Sequence, residues 1–308
     1  MLGLQYFSFT DIWSPIEMLI AAAFLVAYLM LTGPKRSLFP ESEPVPANKK
    51  VMFISGVVIY YLAEAGPINL LGHLTFTAHM SAMALAYLVA PPLLLLGIPG
   101  WMLRPLMEHK IAGKIIHGLT RPVVSVLAFN AIFSFYHIPL IHDFVMTHFF
   151  VHRIYFALLL ITALMMWWPV IAPVPARSQL GELKKMAYIF ANGVLITPAC
   201  AVIIFASAPL YDTYNDPQVW AMAMGYCVPA GFAAQLVENF GGPGFFTILK
   251  PMEDQQLGGI VMKLMQEIVY GIALMFVFKS WYARERKEDD LDAGTNPTNS
   301  NPDPNPVM

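Results

Sequence analysis

The stretch of sequence that decides the fold is TFTAHMSAMALAYLVAPPLLLLGI, residues 75–98. It contains no Asp, Glu, Lys or Arg, and a helix needs about 20 mostly apolar residues to cross the hydrocarbon core of a bilayer. From Ala82 onward the apolar residues follow one another without the alternation that a barrel strand requires. The stretch therefore predicts a membrane-spanning helix.

Six further runs share this length and apolar character: Ser14–Thr32, Val51–Leu71, Leu119–Ile138, Phe149–Ile171, Met186–Ala208 and Leu257–Ser280. Together with Thr75–Ile98 they predict an all-α fold, a polytopic transmembrane bundle of seven helices. An eighth run, Val219–Val237, is interrupted by Gly225, Pro229 and Gly231. Because Gly and Pro break regular structure, we interpret this run as an interfacial or re-entrant segment within the long sixth connection.

The composition excludes several classes of protein. Hydrophobic residues make up 57% of the 308 residues and charged residues only 12%, whereas soluble domains carry about 25% charged residues. So few charges cannot cover a water-facing surface, which excludes an ordinary soluble enzyme, and a nucleic-acid-binding protein would need a basic face. The sequence also lacks Gly-x-Ser-x-Gly, His-Glu-x-x-His and phosphate-loop motifs, so we do not expect an enzyme.

The basic residues predict the orientation of the chain. Most of the 18 Lys and Arg residues lie in the first, third and fifth connections and directly after the last span. Because cytoplasmic loops are enriched in Lys and Arg, we expect the N-terminus outside and the C-terminus in the cytoplasm. Residues 1–283 are then the transmembrane domain. Residues 284–308, acidic and then rich in Asn and Pro, are predicted to be a disordered cytoplasmic tail.

With this orientation, histidines gather at or near the outer face. They are His73, His79, His137, His142, His148 and His152, six of the eight in the chain. His79 lies four residues into the third span, ~6 Å deep at about 1.5 Å per residue. A single histidine in a membrane is commonly a hydrogen-bonded structural residue, so the spacing of these residues has to indicate any further role.

Two pairs have a spacing that suits metal ligands. His148 and His152 are four residues apart, which on a helix places both rings on one face about 5–6 Å apart at Cβ. His79 and Met83 have the same spacing, and a thioether favours Cu(I) over zinc or magnesium. If the third and fifth spans are neighbours, these four residues can close one copper site. The simpler interpretation of Met83 alone is a flexible residue that fills the core.

Charged and small residues also fall within the predicted spans. Lys263 and Glu267, four residues apart, and Glu64 are costly in a membrane, and such residues usually have a function. They predict either a hydrated path for protons or ions or a structural ion pair. Asp254 can cap the start of the last helix, and Gly258-Gly259 permits the close approach of a neighbouring helix.

Several motifs, in order along the chain, resemble the seven-span CtaG family of bacterial membrane proteins, which is associated with caa3-type cytochrome c oxidase. They are Ala78-His79-Met80, the run APPLLLLGIP at 90–99, Tyr136-His137-Ile138-Pro139, His148-x-x-x-His152, Trp167-Trp168-Pro169 and Asp254-Gln255-Gln256-Leu257-Gly258-Gly259. The resemblance runs from about Trp13 to Trp281. The ordered set is more specific than any one of its motifs.

The resemblance implies a multi-pass protein of the bacterial cell membrane that helps to assemble active cytochrome c oxidase and is not an enzyme. It implies that copper is handled on the outer side, with oxidase subunits or other assembly factors as partners, in contact with membrane lipid and with no nucleic acid. Many members carry a second histidine where this chain has Met83, so the preference should move toward Cu(I). The residues expected to orient, shield or replace the ligands are His73, His137, His142, Asp254 and Gln255.

Three other functions are compatible with the sequence. A haem-binding membrane redox protein would use His79 and His152 as axial ligands. A metal or proton permease would use Lys263, Glu267 and Glu64, although the histidines stop at the outer third of the spans. A scaffold would bind oxidase subunits or other assembly factors through its helices without any metal.

Overall fold

The computed structural model describes residues 3–174, 180–229 and 231–295, and within these ranges it contains helices and no strand. The α-helices are α1 (Phe9–Trp13), α2 (Pro15–Thr32), α3 (Ala47–Glu64), α4 (Pro67–Leu74), α5 (Phe76–Ala84), α6 (Ala90–Gly97), α7 (Gly100–Glu108), α8 (Ala112–Leu119), α9 (Pro122–Tyr136), α10 (Pro139–Thr147), α11 (Phe149–Ile171), α12 (Glu182–Ile204), α13 (Pro217–Met224), α14 (Phe232–Phe240) and α15 (Pro251–Thr295). A π-helical turn, Leu85–Val89, joins α5 to α6. The predicted all-α fold is confirmed.

Six helical stretches are long and apolar enough to cross a membrane: Phe9–Thr32, Ala47–Leu74, Phe76–Gly97, Phe149–Ile171, Glu182–Ile204 and Pro251–Glu288. The fourth predicted span differs, because α8 and α9 meet there at an angle of 73°. The break comes immediately before Pro122, and a proline disfavours helical backbone at the residue before it. The described residues therefore contain six spans, or seven if this bent pair counts as one.

The central span is the continuous stretch of α5 and α6, which contacts α3, α11 and α15. It is the most buried of the candidate spans, and Met80, Met83 and Tyr87 are at most 1% exposed. The π-helical turn between the two helices ends just before Pro91 and Pro92. A proline cannot donate the backbone N–H that a regular helix needs, and the wider turn accommodates that break in the hydrogen-bond pattern.

Two adjacent glycines let α15 approach α5 and α12 at the same time. A Cβ atom on Gly258 would lie 2.7 Å from the ring of Phe76, and one on Gly259 would lie 2.8 Å from the side chain of Ile204. Both distances are too short for any larger residue. The predicted close approach at this glycine pair is confirmed, and it occurs on two sides of the helix.

The carboxylate of Asp254 holds the start of α5 against the first turn of α15. It accepts hydrogen bonds from the backbone N–H of Phe76 at 2.7 Å and of Thr77 at 3.2 Å, and the Thr77 hydroxyl donates to the Asp254 carbonyl at 2.9 Å. The sequence had predicted a cap on the last helix. Because α15 already begins at Pro251, the carboxylate instead caps the neighbouring helix.

We call one end of the bundle the histidine end, because His73, His137 and His148 lie there, where α4, α9 and α10 finish.

The short helices α13 and α14, with the turn Asp212–Tyr214, lie over this end as a cap. The predicted interruption of Val219–Val237 is confirmed, since the run forms two short helices joined by a turn. The cap packs through an apolar cluster, whose buried members include Phe7, Leu70, Leu74, Trp220, Met224, Leu236 and Phe246.

Polar contacts fix the cap on the bundle. The indole N–H of the fully buried Trp220 donates to the carbonyl of His73 at 2.9 Å. The hydroxyl of Tyr214 donates to the carbonyl of Gly72 at 2.6 Å. These donors satisfy carbonyl groups at the end of α4, which have no partner within the helix, and they set the position of the cap relative to the histidines.

The predicted basic connections come together at the opposite end. Arg104 pairs with Glu41 at 2.6 Å, and Arg284 pairs with Glu182. The helix α15 continues to Thr295, so it passes the predicted start of the tail at residue 284 without a break. Residues 296–308 of that tail lie outside the described residues. The cytoplasmic location of this end stays a prediction.

Replacing Asp254 with asparagine should destabilise the protein. The Asp254→Asn side chain offers one oxygen and an NH₂ group to two backbone N–H donors, and a hydrogen bond to a charged group contributes about 1.5–3 kcal/mol. We expect a clear fall in the melting temperature of the detergent-purified protein, measured by the unfolding of its helices.

The matched control is Glu253→Gln, the same change of charge on the adjacent residue. Glu253 is exposed, and within the described residues its side chain has only a local hydrogen bond from the Lys250 N–H. We expect a melting temperature close to that of the unchanged protein. Equal melting temperatures for Asp254→Asn and Glu253→Gln would contradict the role of Asp254.

Candidate metal centre

The six histidines of the histidine end differ in their exposure. Four of them are buried: His73, His79, His137 and His142. His152 is partly buried and His148 is exposed. A buried imidazole has to find partners for its nitrogen atoms, and those partners show which rings are available to a ligand.

His79 lies in the first turn of α5, next to the amides that Asp254 holds. Its Nε2 atom lies 2.9 Å from the hydroxyl of Tyr136, on α9, so Nδ1 is the nitrogen left for another partner. Met83 follows one helical turn later and is 1% exposed. The end of α4 comes close because residue 72 is glycine: a Cβ atom there would lie 3.1 Å from the Cα atom of His79.

His73 and His152 face each other from α4 and α11, with 6.1 Å between ring centroids. The Nδ1 atom of His73 donates to the Asn69 carbonyl at 3.0 Å, which leaves Nε2 available. His152 stacks on Phe156 at 4.1 Å. Its Nε2 atom is buried and has no hydrogen-bond partner among the described residues, which is costly unless a ligand or water supplies one.

These side chains line one small space, which we call the inner cavity. Its walls include His73, His79, Met83, His152, Glu64 and Asn69. The cavity volume is about 10 Å³, about the space that one water molecule needs. The third and fifth spans touch through α6 and α11, which is the arrangement that the predicted ligand set requires.

The structure does not bring His148 to the inner cavity. This residue precedes α11, with φ −125° and ψ 101°, so it lies outside the helix. Its Nδ1 atom donates to the Phe144 carbonyl at 2.8 Å, and its ring packs on Phe144 at 4.2 Å. Since the helix begins only after His148, the four-residue spacing to His152 does not place the two rings on one helix face.

His137 and His142 surround the site without lining the inner cavity. The ring of His142 packs edge-on against His79 at 5.5 Å between centroids. Its Nε2 atom is buried and, in the part of the chain that the structure describes, has no hydrogen-bond partner. The Nδ1 atom of His137 donates to the Phe133 carbonyl at 2.7 Å. The two residues therefore support the wall behind His79.

An open pocket of about 310 Å³, which we call the vestibule, adjoins the inner cavity. The two spaces share the side chains of Glu64, Asn69, His73 and His152. Asp11, Glu17, Arg153 and Cys227 also line the vestibule. Arg153 is paired with Glu17 at 3.0 Å, so carboxylates outnumber fixed positive charges and the vestibule favours a cation.

The donor atoms at the inner cavity suit a soft, imidazole-binding metal ion, because three histidines line it beside a thioether. Among the described residues, no three His, Cys, Asp or Glu side chains are arranged to hold a metal ion. Met83 lines the same cavity and offers a thioether sulfur beside the imidazoles.

The other predicted polar residues have protein partners. Glu64 accepts a hydrogen bond from the Tyr87 hydroxyl at 2.9 Å. Lys263 and Glu267 form the predicted ion pair at 2.6 Å, and the side chain of Glu267 is 60% exposed. Gln255 accepts from the Leu210 N–H at 2.6 Å and donates to the Ile203 carbonyl at 3.3 Å, so it ties α15 to the end of α12.

Spacing arguments do not find Tyr136, Trp220 or Cys227, although each touches the site. All three come from elements that only the tertiary fold brings to His73 and His79. Two of them had a signal in the sequence: Tyr136 precedes His137 in a motif, and Cys227 is the one cysteine in the interrupted apolar run 219–237.

The family model described as cytochrome c oxidase caa3 assembly factor (Caa3_CtaG) matches residues 26–284. The match begins within α2, ends within α15 and includes every residue of the inner cavity. No curated protein and no solved structure matches the chain.

Beside this site, Asp143 ties α10 to the cap. Its carboxylate accepts hydrogen bonds from the backbone N–H of Asp212 at 3.0 Å and of Thr213 at 3.1 Å, and from the Thr213 hydroxyl at 2.7 Å. Partial burial acts to raise the pKa of Asp143, but hydrogen bonds from His142 and Thr213 outweigh it and hold the pKa below its usual value.

Asp143→Asn should therefore lower the stability of the protein at neutral pH, by about 1.5–3 kcal/mol for the lost charged acceptor. A carboxyl group with a depressed pKa stabilises the fold fully above its unfolded pKa of about 3.9, and this contribution is lost as the pH falls through the lower folded value. We expect the difference in melting temperature from the unchanged protein to be constant between about pH 5 and pH 8 and to shrink only below about pH 4.

Asp212→Asn is the control, because the side chain of Asp212 is exposed. It should change the melting temperature little at any of these pH values. A difference for Asp143→Asn that varied between neutral pH and about pH 5 would show that another group is responsible.

Proposed function

Because the chain belongs to the family of cytochrome c oxidase caa3 assembly factors, whose model covers residues 26–284, we propose that it binds copper at its histidine end and supports the insertion of that copper into the oxidase. The family is not a class of enzymes. The assembly role follows from membership, and the copper is the cargo of the proposed function.

One observation carries the proposal. Two imidazoles and a thioether from different spans, those of His79, His152 and Met83, line the same small cavity. The Nε2 atom of His152 has no partner there among the described residues. Soft and borderline donors of this kind favour Cu(I), and oxygen-rich sites favour magnesium or calcium.

The neighbours of these residues would tune the site. The Tyr136 hydroxyl engages Nε2 of His79 and leaves Nδ1 for the ion, because an imidazole binds a metal through its free nitrogen. Asp254 positions both His79 and Met83, since it holds the start of their helix. A site with three protein ligands keeps a coordination position open, which a protein that passes its ion on requires.

The distribution of basic residues supports an extracytoplasmic position for the site. The basic connections lie at the end opposite to the histidines, and cytoplasmic loops are enriched in Lys and Arg. We therefore place the inner cavity near the extracytoplasmic surface of a bacterial cell membrane. Oxidase subunits or other assembly factors are the expected partners for the ion.

The geometry favours copper over the two alternatives with other ligands. The inner cavity between His79 and His152 holds about 10 Å³, which leaves no room for a porphyrin between these two histidines. Lys263 is bonded to Glu267, Thr197 and Gln266, so it fits a structural ion pair that joins α15 to α12. His79 and His152 therefore fit a small soft ion better than a haem, and Lys263 and Glu267 do not support a permease.

Replacement of the ligands should weaken Cu(I) binding. Met83→Leu keeps the size and apolar character of the side chain and removes the sulfur, and His152→Gln removes the unpartnered nitrogen. We expect each variant to lower the Cu(I) affinity of the detergent-purified protein at least about tenfold, since loss of supporting groups around a metal alone costs 10–100-fold. The measurement is competition with the Cu(I) chelator bicinchoninate under anaerobic conditions.

His148→Gln is the matched control, because His148 is exposed and turned toward Phe144. Its Cu(I) affinity should stay within about twofold of the unchanged protein, in line with a surface change. If His148→Gln weakened binding as much as His152→Gln, the ligands would have to be reassigned. Unchanged copper binding in Met83→Leu and His152→Gln together would refute the proposed site.

A further inference from the structure

The cap places a second sulfur atom beside the histidines. Cys227 lies in the turn between α13 and α14, is partly buried and is a free thiol. It lines the vestibule together with His73 and His152, so the thiol and two imidazoles share one pocket. This cysteine is therefore part of the wall that leads to the inner cavity.

The position of Cys227 is fixed by contacts on both sides of its turn. The backbone N–H of Cys227 donates to the Met224 carbonyl at 2.9 Å. The neighbouring Tyr226 donates its hydroxyl to the Thr147 carbonyl, and Trp220 of the same cap donates to the His73 carbonyl. The Trp220 bond ends on His73, so it ties the cap to α4. It thereby holds Cys227 and His73 in the wall of the same pocket.

The ring of His73 is prepared to bind a ligand on the same side. Its Nδ1 atom is tied to the Asn69 carbonyl, which fixes the ring orientation and leaves Nε2 available, the pattern found at metal-binding histidines. A second nitrogen stands within reach, because His152 lies 6.1 Å from His73 between centroids and its buried Nε2 atom has no partner among the described residues. Both histidines also line the inner cavity.

We propose that Cys227 and His73 form a second, two-coordinate Cu(I) site in the vestibule, which receives the ion and passes it to the inner cavity. This inference rests on the proposed function, because the inner cavity is where the ion goes. A thiolate and an imidazole are ligands that Cu(I) accepts in a linear pair. Thiolate also binds zinc, but zinc takes four ligands, so a site with two ligands favours Cu(I).

The transfer balances without any redox step. When Cu(I) binds, the Cys227 thiol gives its proton to water in the vestibule, and bonds form from copper to Sγ of Cys227 and Nε2 of His73. When the ion moves on, the bonds to Sγ of Cys227 and Nε2 of His73 break as bonds to Nδ1 of His79, Nε2 of His152 and the Met83 sulfur form. The thiolate then regains a proton from water, and copper remains Cu(I) throughout.

Alkylation of Cys227 by iodoacetamide tests the site on the full-length protein in detergent, with Cys200→Ser as the background that removes the other thiol. Cu(I) is supplied anaerobically through a bicinchoninate buffer. When free Cu(I) is at ten times the dissociation constant of the Cys227–His73 site, alkylation should slow about tenfold, because only the copper-free protein reacts. His73→Gln should abolish this protection. His148→Gln, a change at the exposed neighbouring histidine, should leave it intact.

A second readout does not depend on reactivity. A near-ultraviolet charge-transfer band from a Cu–thiolate bond should appear with Cu(I) in the Cys200→Ser protein and should vanish in Cys227→Ser/Cys200→Ser. The double cysteine variant should still fill the inner cavity to the same final occupancy, but more slowly. Melting temperatures without copper check that each variant is folded.

The outcomes separate this inference from the proposed function. Copper binding that depends on Met83 and His152, with no protection of Cys227 and no thiolate band, would overturn the second site and leave the proposed function in place. Protection of Cys227 with copper binding that is indifferent to Met83→Leu and His152→Gln would overturn the inner site instead. Equal protection by Zn(II) at the same free concentration would overturn the selectivity for Cu(I).

Discussion

The structure depends on one carboxylate at the start of a buried helix. Inside a membrane an unsatisfied backbone group costs several kcal/mol, and the first N–H groups of any helix have no partner within it. Asp254 supplies that partner for Phe76 and Thr77, and it comes from α15, the helix that Gly258 allows to approach α5 closely. The rotation and height of α5 are thereby fixed, and with them the positions of His79 and Met83.

A second constraint concerns the places where helices end inside the bundle. His73, His137 and His148 each direct Nδ1 to the carbonyl of the residue four positions earlier, Asn69, Phe133 and Phe144 respectively. The last carbonyls of a helix lack intrahelical partners, so these rings have a structural role at the ends of α4, α9 and α10. In each ring this bond leaves Nε2 for another partner. Of the three residues, His73 lines both the inner cavity and the vestibule, where the cap brings Cys227.

The cap adds a second sulfur atom to the histidine end, in a space separate from that of Met83. Without it, the apolar side chains at the end of α4 would be uncovered and Cys227 would have no fixed position. With it, a sulfur donor stands at the mouth of the site and another, Met83, stands inside, and His73 and His152 line both spaces. The arrangement places sulfur atoms at two depths along one short path, as the proposed transfer of Cu(I) requires.

Hydropathy by itself determined the helical membrane fold and the approximate limits of the spans, because a segment that crosses a bilayer has to be long, apolar and internally hydrogen-bonded. Local spacing also determined the pairing of Lys263 with Glu267 and placed His79 and Met83 on one wall of the inner cavity, since each pair lies within one helix. The same argument was wrong for His148 and His152. The helix begins at Phe149, so His148 has extended backbone and its ring does not share a helix face with that of His152. The tertiary structure alone decided which helix Asp254 caps, that Tyr136 engages His79, and that Cys227 lines the vestibule with His73. These contacts join residues far apart in the sequence, and their partners depend on how whole helices pack.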